Sequence, residues 1–378
     1  MIRKFVIYPL LALCLFACAA VAWLLASNAG LAFLLVEDVA KNGQSSLLSS
    51  WRPEPNRQTI LLPVGTRRVT VDVFVPASSG RTAIVLVPGL SPQGKDDPRL
   101  GTYARSLARA GFRVFVPDIE SFRELRIGPD DADQVADLVA KLLENKDKLG
   151  FQTLGLQAVS YAVGPTVIAA TRVDIRDRIK FIVGIGGYYE TVGMIRYFTT
   201  GKHREMDGQA WLTGLPDPRA KWVFAQTNAT YLADPRQSAA LQAIALIKRD
   251  NLPDSTDRWE ADLGPEGDAI LRLMLNTDPD RVAAYLAALP ANMRGALTAL
   301  DLSGRDLATQ LKARLILIHG SDDPVIPSSE SKKLVRSVRN GDLYLVDNLF
   351  HADLGEISFR DGVQLWLSAR AVLDQIDE

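Results

Sequence analysis

Ser160, the adjacent pair Asp322 and Asp323, and His351 are the residue types that a nucleophile, an orienting carboxylate and a base require. A serine hydroxyl attacks poorly until a base within hydrogen-bond reach takes its proton. The base in turn needs a carboxylate to hold its ring, and the oxyanion that forms needs N–H donors. Ser160 lies in Leu154-Gly155-Leu156-Gln157-Ala158-Val159-Ser160-Tyr161-Ala162-Val163-Gly164. An apolar run of strand character there gives way to small residues, and Pro165 to Thr171 can carry a helix. With Ala158 and Ala162 two positions to either side, the serine fits a sharp strand-to-helix turn. Such a turn holds its residue under strain and lifts the hydroxyl clear of the sheet at a helix N-terminus. By itself, small-x-Ser-x-small is a common pattern, and its weight depends on partners elsewhere in the chain.

Those partners require elements that end at one edge. Continuous apolar runs at Ala83–Val87, Arg113–Pro117 and Phe181–Ile185 read as strands buried on both faces. The period-two pattern Arg68–Val75, preceded by Thr59–Pro63, reads as a half-exposed hairpin. Helical patterns at Tyr103–Ala110 and after Pro129 alternate with them, which predicts a mostly parallel sheet with helices on both faces. The alternation stops from 188 to 311, where helical patches predict an insertion over the C-terminal edge of the sheet. It resumes with Arg314–Ile318, which runs into His319-Gly320-Ser321-Asp322-Asp323-Pro324-Val325-Ile326-Pro327. Leu343–Val346 then runs into Asp347-Asn348-Leu349-Phe350-His351, and the amphipathic stretch Phe359–Ile376 closes the fold. Serine, aspartate and histidine thus each follow a strand predicted to be parallel to the others.

This combination resembles the α/β-hydrolase superfamily, over roughly Thr59 to the C-terminus apart from the insertion. The resemblance implies an α/β-hydrolase fold with a helical cap. It makes Ser160 the nucleophile, His351 the general base and acid, and Asp323 the orienting carboxylate. Asp323 is preferred to Asp322 because Asp323-Pro324-Val325-Ile326-Pro327 matches the family's D-x-x-[VI]-P loop. The oxyanion hole it implies uses the backbone N–H of Tyr161 and one from the loop Val87-Pro88-Gly89-Leu90. Leu90 is the choice there, because Pro88 has no N–H and Gly89 lets the turn form. The chain departs from the family pattern in carrying alanine at both elbow flanks, where the common form is G-x-S-x-G, and in lacking a histidine before Gly89. His319 reads as a structural residue at a strand end, His203 as a solvent or groove residue of the insertion, and Glu190 and Asp353 as spare carboxylates. Asn228-Ala229-Thr230 matches a glycosylation triplet, a pattern common by chance.

The 378 residues are 47% hydrophobic and 23% charged, the balance of a globular protein, and a net charge of -1 gives no basis for binding nucleic acid. Both cysteines, Cys14 and Cys18, fall in the N-terminal apolar stretch, so the rest of the chain has neither disulfides nor a cysteine metal site. Three histidines, far apart in the chain, give no basis for a multi-histidine zinc site, and the chemistry expected of the triad needs no cofactor or metal. Arg3 and Lys4 precede an uncharged run from Phe5 to Val36, whose part through Ala26 already exceeds the ~20 residues that cross a bilayer. The expected organisation is therefore an N-terminal membrane anchor or signal over 1–40 and a linker over 41–58. The hydrolase core follows over 59–187 and 312–378, with a lid over 188–311. The two N-terminal cations orient the anchor so that the catalytic domain lies outside the cytoplasm, with a cleaved signal or a lipoprotein as the alternatives. The expected activity is hydrolysis of a carboxylic ester, with a lipid-derived substrate suggested by the lid and anchor. The alternatives are an acyltransferase using the same triad and a catalytically silent membrane-tethered binding module.

Overall fold

The computed structural model of the protein describes residues 27–77, 80–351 and 353–376. Its centre is an eight-stranded sheet of β1 (Asn56–Val64), β2 (Arg67–Val75), β3 (Thr82–Val87), β4 (Arg113–Pro117), β5 (Thr153–Val159), β6 (Ile179–Ile185), β7 (Arg314–Gly320) and β8 (Gly341–Val346). The spatial order is β1-β2-β4-β3-β5-β6-β7-β8. β2 pairs antiparallel with β1 and β4, while all pairings from β4 to β8 are parallel. This is the mostly parallel architecture that the alternating pattern predicts.

Both faces of the sheet are buried, and the period-two alternation of side chains divides the interior in two. Ala83, Val85 and Val87 of β3, Leu154, Leu156 and Ala158 of β5, and Leu315 and Leu317 of β7 point into one core. Ile84 and Leu86, Phe181 and Val183, and Ile316 and Ile318 point into the other. The helices sort accordingly. α3 (Asp131–Glu144) and α4 (Val163–Ala169) cover the first core, together with α5 (Thr191–Thr200), α6 (Ala220–Asn228), α7 (Pro235–Arg249), α8 (Gly264–Leu275) and α9 (Ala291–Leu300) of the insertion. α1 (Asn28–Ala40), α2 (Pro98–Arg109) and α11 (Phe359–Leu373) cover the second, and α10 (Ser328–Arg336) follows the Asp323 loop.

Residues 28–40, at the end of the stretch read as an anchor or signal, form a helix that is part of the folded domain. Ser27 caps α1 by accepting the N–H of Gly30, and Leu31, Ala32, Leu34 and Leu35 are buried against the second core. The Trp366 indole N–H donates to the Ala29 carbonyl at 2.7 Å, and the buried Asp38 carboxylate pairs with Arg109 of α2 at 3.2 Å. Residues 1–26, on which the membrane-spanning reading falls, lie outside the described residues. Among the described residues no helix is long and apolar enough to cross a membrane. The stretch read as a linker contains the short helix Leu47–Trp51 with Leu48 fully buried, and β1 begins within it at Asn56.

The insertion carries one feature that its sequence did not signal, a two-residue bridge pairing Lys202–His203 with Leu212–Thr213. Asn228 of the glycosylation triplet is buried at the end of α6, its amide donating to the Phe224 carbonyl.

Gly155 on β5 allows the ring of Phe181 to cross the strand, since a Cβ there would lie 2.2 Å from the Phe181 Cζ. The ring is fully buried, so the added methyl can be accommodated only by moving the core. Gly155→Ala is expected to cost about 1–3 kcal/mol of stability, read as a lower urea midpoint at unchanged m-value. An unaltered midpoint would show that the Phe181 ring repacks freely.

Candidate active site

β3 and β5 are neighbours, but the chain leaves them toward opposite sides. After β3 it continues to β4 on one flank, and after β5 to β6 on the other. Loops that diverge in this way open a crevice at the carboxyl ends of the two strands. The loop after β3 begins with Pro88-Gly89-Leu90, and the turn after β5 contains Ser160.

The turn is strained as its sequence predicts. Val159 is extended, Ser160 has φ +59°, and Ser160–Ala162 make one tight turn before α4 begins. A non-glycine residue in the left-handed region costs about 1–2 kcal/mol, which the surroundings must sustain. Ala158 and Ala162 are fully buried, and neighbouring glycines supply the room. A Cβ on Gly187 would lie 2.5 Å from Val163, and one on Gly164 would lie 2.1 Å from the Tyr188 hydroxyl. Gly89 makes the corresponding approach from the β3 loop, where a Cβ would fall 3.2 Å from the Val159 carbonyl oxygen and 3.7 Å from Ser160 Cβ. That contact sets the Leu90 peptide beside the serine. Among the described turns and side chains, neither the Leu90 nor the Tyr161 N–H has a hydrogen-bond acceptor.

Ser160, His351 and Asp323 form one hydrogen-bonded chain. His351 Nε2 is 2.6 Å from Ser160 Oγ, and His351 Nδ1 is 2.9 Å from Asp323 Oδ2. Because an ionised carboxylate only accepts, the Nδ1 proton points to Asp323 and Nε2 is left to accept the serine proton. Like Ser160, His351 has a left-handed backbone, with φ +61°. Asp323 Oδ1 accepts the N–H groups of Val325 and Ile326 at 2.7 and 3.0 Å, so the Asp323-Pro324-Val325-Ile326 turn is folded around its own carboxylate. Burial pushes this carboxyl up, but hydrogen bonds and charge interactions with His319 and His351 outweigh it and hold the group well below its ordinary value. Asp322, the competing candidate in the sequence, is exposed, and Glu190 pairs with Lys333 at 2.8 Å.

His319 does more than end a strand. It is fully buried, its Nδ1 is 2.6 Å from Ser331 Oγ, and its Nε2 is 2.9 Å from the Ile326 carbonyl oxygen and 3.5 Å from Asp323 Oδ2. It therefore packs on the far side of the carboxylate that His351 uses. Its position four residues before Asp323 was the available signal, but only the turn of that loop brings the two together. Gly186, φ +62°, is another residue that the sequence did not single out. A Cβ there would lie 3.4 Å from both Asp323 Oδ2 and His351 Nδ1. His203 bonds Ser329 Oγ at 3.0 Å and packs edge-on against Tyr197, apart from the chain of three.

The Tyr161 side chain points away from the crevice. Its hydroxyl donates to Asp131 Oδ2 at 2.6 Å, and its ring lies between Phe122 and Tyr188. Burial raises the Asp131 carboxyl, with the bonds from Tyr161, the Gly128 N–H and Ser121 opposing it. On its other side the crevice widens into a cavity of about 660 Å³ that holds Ser160, His351 and Leu90. No residue of 188–311 lines this cavity. The insertion instead supports the site from behind, where the Tyr197 hydroxyl donates to the Asp323 carbonyl at 3.0 Å and the Asp217 N–H to the Pro324 carbonyl at 2.7 Å.

No protein-family model matches the chain, and no curated protein does. Solved structures similar to it include a dienelactone hydrolase from Anabaena variabilis ATCC 29413, at 13% identity and TM-score 0.45, covering 84% of this chain and 98% of that one. A serine hydrolase from the polyaromatic-hydrocarbon-degrading bacterium Cycloclasticus zankles is 16% identical with TM-score 0.43, covering 84% and 96%. An acylaminoacyl peptidase from Pyrococcus horikoshii is 13% identical with TM-score 0.47, covering 87% of this chain and 42% of that one.

The depressed Asp323 ionisation carries a signed consequence for stability. A carboxyl whose folded-state value lies below its unfolded value of ~3.9 stabilises the fold fully above that pH and loses the contribution as pH falls toward the folded value. The stability gap between the wild type and Asp323→Asn is therefore expected to be largest near pH 7 and to shrink on acidification below about pH 4. Urea unfolding at several pH values checks this, and a gap that widens in acid would contradict it.

Proposed function

We propose that the protein is a serine hydrolase that cleaves a carboxylic ester through an acyl-enzyme on Ser160. The observation that carries this reading is the continuous hydrogen-bonded chain from Ser160 Oγ through His351 to the buried Asp323 carboxylate. In the first step His351 Nε2 takes the Ser160 proton as Oγ bonds to the ester carbonyl carbon, and the carbonyl π electrons move to oxygen. Asp323 stabilises the imidazolium that forms. The N–H groups of Leu90 and Tyr161 are the donors assigned to the oxyanion, and a single such donor is worth about 10²–10³ in rate. Collapse of the tetrahedral intermediate breaks the bond to the leaving oxygen, which takes the proton from His351 and departs as an alcohol. Water then gives a proton to His351 as it attacks the acyl carbon. Ser160 leaves with that proton, and the carboxylic acid is released.

An acyltransferase would run the same first half and pass the acyl group to an alcohol in place of water. Product analysis with a competing alcohol separates the two. A silent binding module has no chemical need for a serine held at φ +59° and bonded to a histidine that is itself bonded to a buried carboxylate.

A fluorophosphonate probe is expected to label Ser160 in the wild type and to leave Ser160→Ala unlabelled. Asp323→Asn, which keeps the volume but favours the wrong His351 tautomer, should lower kcat by about 10⁴-fold. Absence of labelling in correctly folded wild type would overturn the reading.

The N-terminal membrane anchor belongs to the same proposal and rests on sequence. Arg3 and Lys4 precede the uncharged residues from Phe5 onward, which leads to a catalytic domain outside the cytoplasm. With α1 folded into the domain, the anchor falls to residues before Ser27. The full chain is expected to remain in the membrane pellet after an alkaline carbonate wash, and its complete release would count against an uncleaved anchor.

A further inference from the structure

The cavity beside Ser160 has walls that its sequence position did not suggest. One is α1, through Leu35, Val36 and Val39, and another is α11, through Leu365, Ala369 and Val372. α2 and the strand-end residues Ile185 and Ile318 close the remainder. Most of this lining is aliphatic, with Asn42, Ser91, Thr102 and Ser368 among its polar members. Its charged members Asp97 and Arg99 pair with each other at 3.1 Å, so neither is held out toward a charged ligand. At about 660 Å³ the space falls within the ~300–1,000 Å³ of small-molecule sites. It is far more than an acetyl group needs, and it opens directly on the nucleophile.

Resting on the ester-hydrolase reading, we propose that this cavity binds an extended apolar chain of the substrate, and that α1 sets the chain length accepted. Three features support the assignment. The walls contributed by α1, α11 and the strand ends are mainly aliphatic, and Ser160 and His351, where the ester group must be, border the same space. α1 is fixed in place by Ser27, by the Trp366 bond to Ala29 and by the Asp38–Arg109 pair, so Val36 and Val39 form a rigid boundary. The insertion, the usual place to seek specificity in such an arrangement, contributes nothing to the lining. Each methylene buried against the walls is worth up to about fourfold in kcat/KM, by the transfer free energy of one CH₂ group. Val36 and Val39 thereby act as specificity-determining residues and take no part in the proton transfers.

The test uses the full-length protein and a series of p-nitrophenyl esters from acetyl to hexadecanoyl. In the wild type kcat/KM is expected to rise with chain length to an optimum beyond butyryl. Val36→Phe shortens the cavity and is expected to lower the decanoyl-to-acetyl ratio of kcat/KM at least about tenfold, which corresponds to less than two methylenes of lost contact. Val36→Ala should shift the optimum toward longer chains, a change that partial unfolding cannot produce. An optimum at acetyl in the wild type, or an identical chain-length profile in all three proteins, overturns the inference while leaving the hydrolase reading intact. Failure of the wild type both to react with the fluorophosphonate probe and to hydrolyse every ester overturns that reading and the inference together.

Discussion

Burying the Asp323 carboxylate is the constraint on which the rest of the site depends. A carboxylate removed from water costs several kcal/mol unless donors replace its hydration, and here they come from different parts of the chain. The N–H groups of Val325 and Ile326 serve one oxygen, and His351 serves the other with His319 close behind it. Meeting that demand folds the loop after β7, draws the histidine loop after β8 across the sheet edge, and fixes which His351 nitrogen carries a proton. The reactive end of the relay is thus set by the need to satisfy an acid 1% exposed. The insertion enters here as well, since Tyr197 and Asp217 hold the backbone of Asp323 and Pro324 from outside.

The opposite end of the relay is a backbone conformation that needs support. Ser160 at φ +59° is tolerated because residues around it are small where its turn and the adjoining helix press against neighbours. A glycine-flanked elbow would find that room within itself. With alanine at both flanks, the room comes from Gly187 and Gly89, which follow neighbouring strands, and from Gly164, the second residue of α4. The strain at the serine and the absence of side chains on these glycines are parts of one arrangement.

The two faces of the sheet divide the remaining labour. Strand residues alternate between two cores, so a helix that covers one core cannot reach the other. The insertion lies with α3 and α4 on one side, together with Tyr161, Tyr188 and Asp131, and there it braces the elbow and the acid loop. α1, α2 and α11 lie on the other side, with the cavity between them. The cavity beside Ser160 and the support of the site are thereby built from segments far apart in the chain, and the α1 wall includes the end of the N-terminal apolar run.

Much of this was legible in the residues. Apolar runs bounded by turns gave the strands because a strand buried on both faces needs no polar side chain. The Asp-x-x-Ile-Pro loop pointed to Asp323 over Asp322, and the small residues around Ser160 anticipated its strained turn. These are local properties, set within a few residues by sterics and burial. What the sequence left open depends on packing between distant elements. Nothing local to His319 says that a loop will fold its partner carboxylate back upon it. An uncharged stretch such as Leu31–Val36 has the same composition whether it meets lipid or a protein core, so α1 read as part of an anchor. Its place against α11 became decidable only in three dimensions, where the Ala29 carbonyl meets the Trp366 indole and Asp38 meets Arg109. Local sterics were enough to mark the strained turn at Ser160, whereas the walls around it required the whole sheet to bring both ends of the chain to one face.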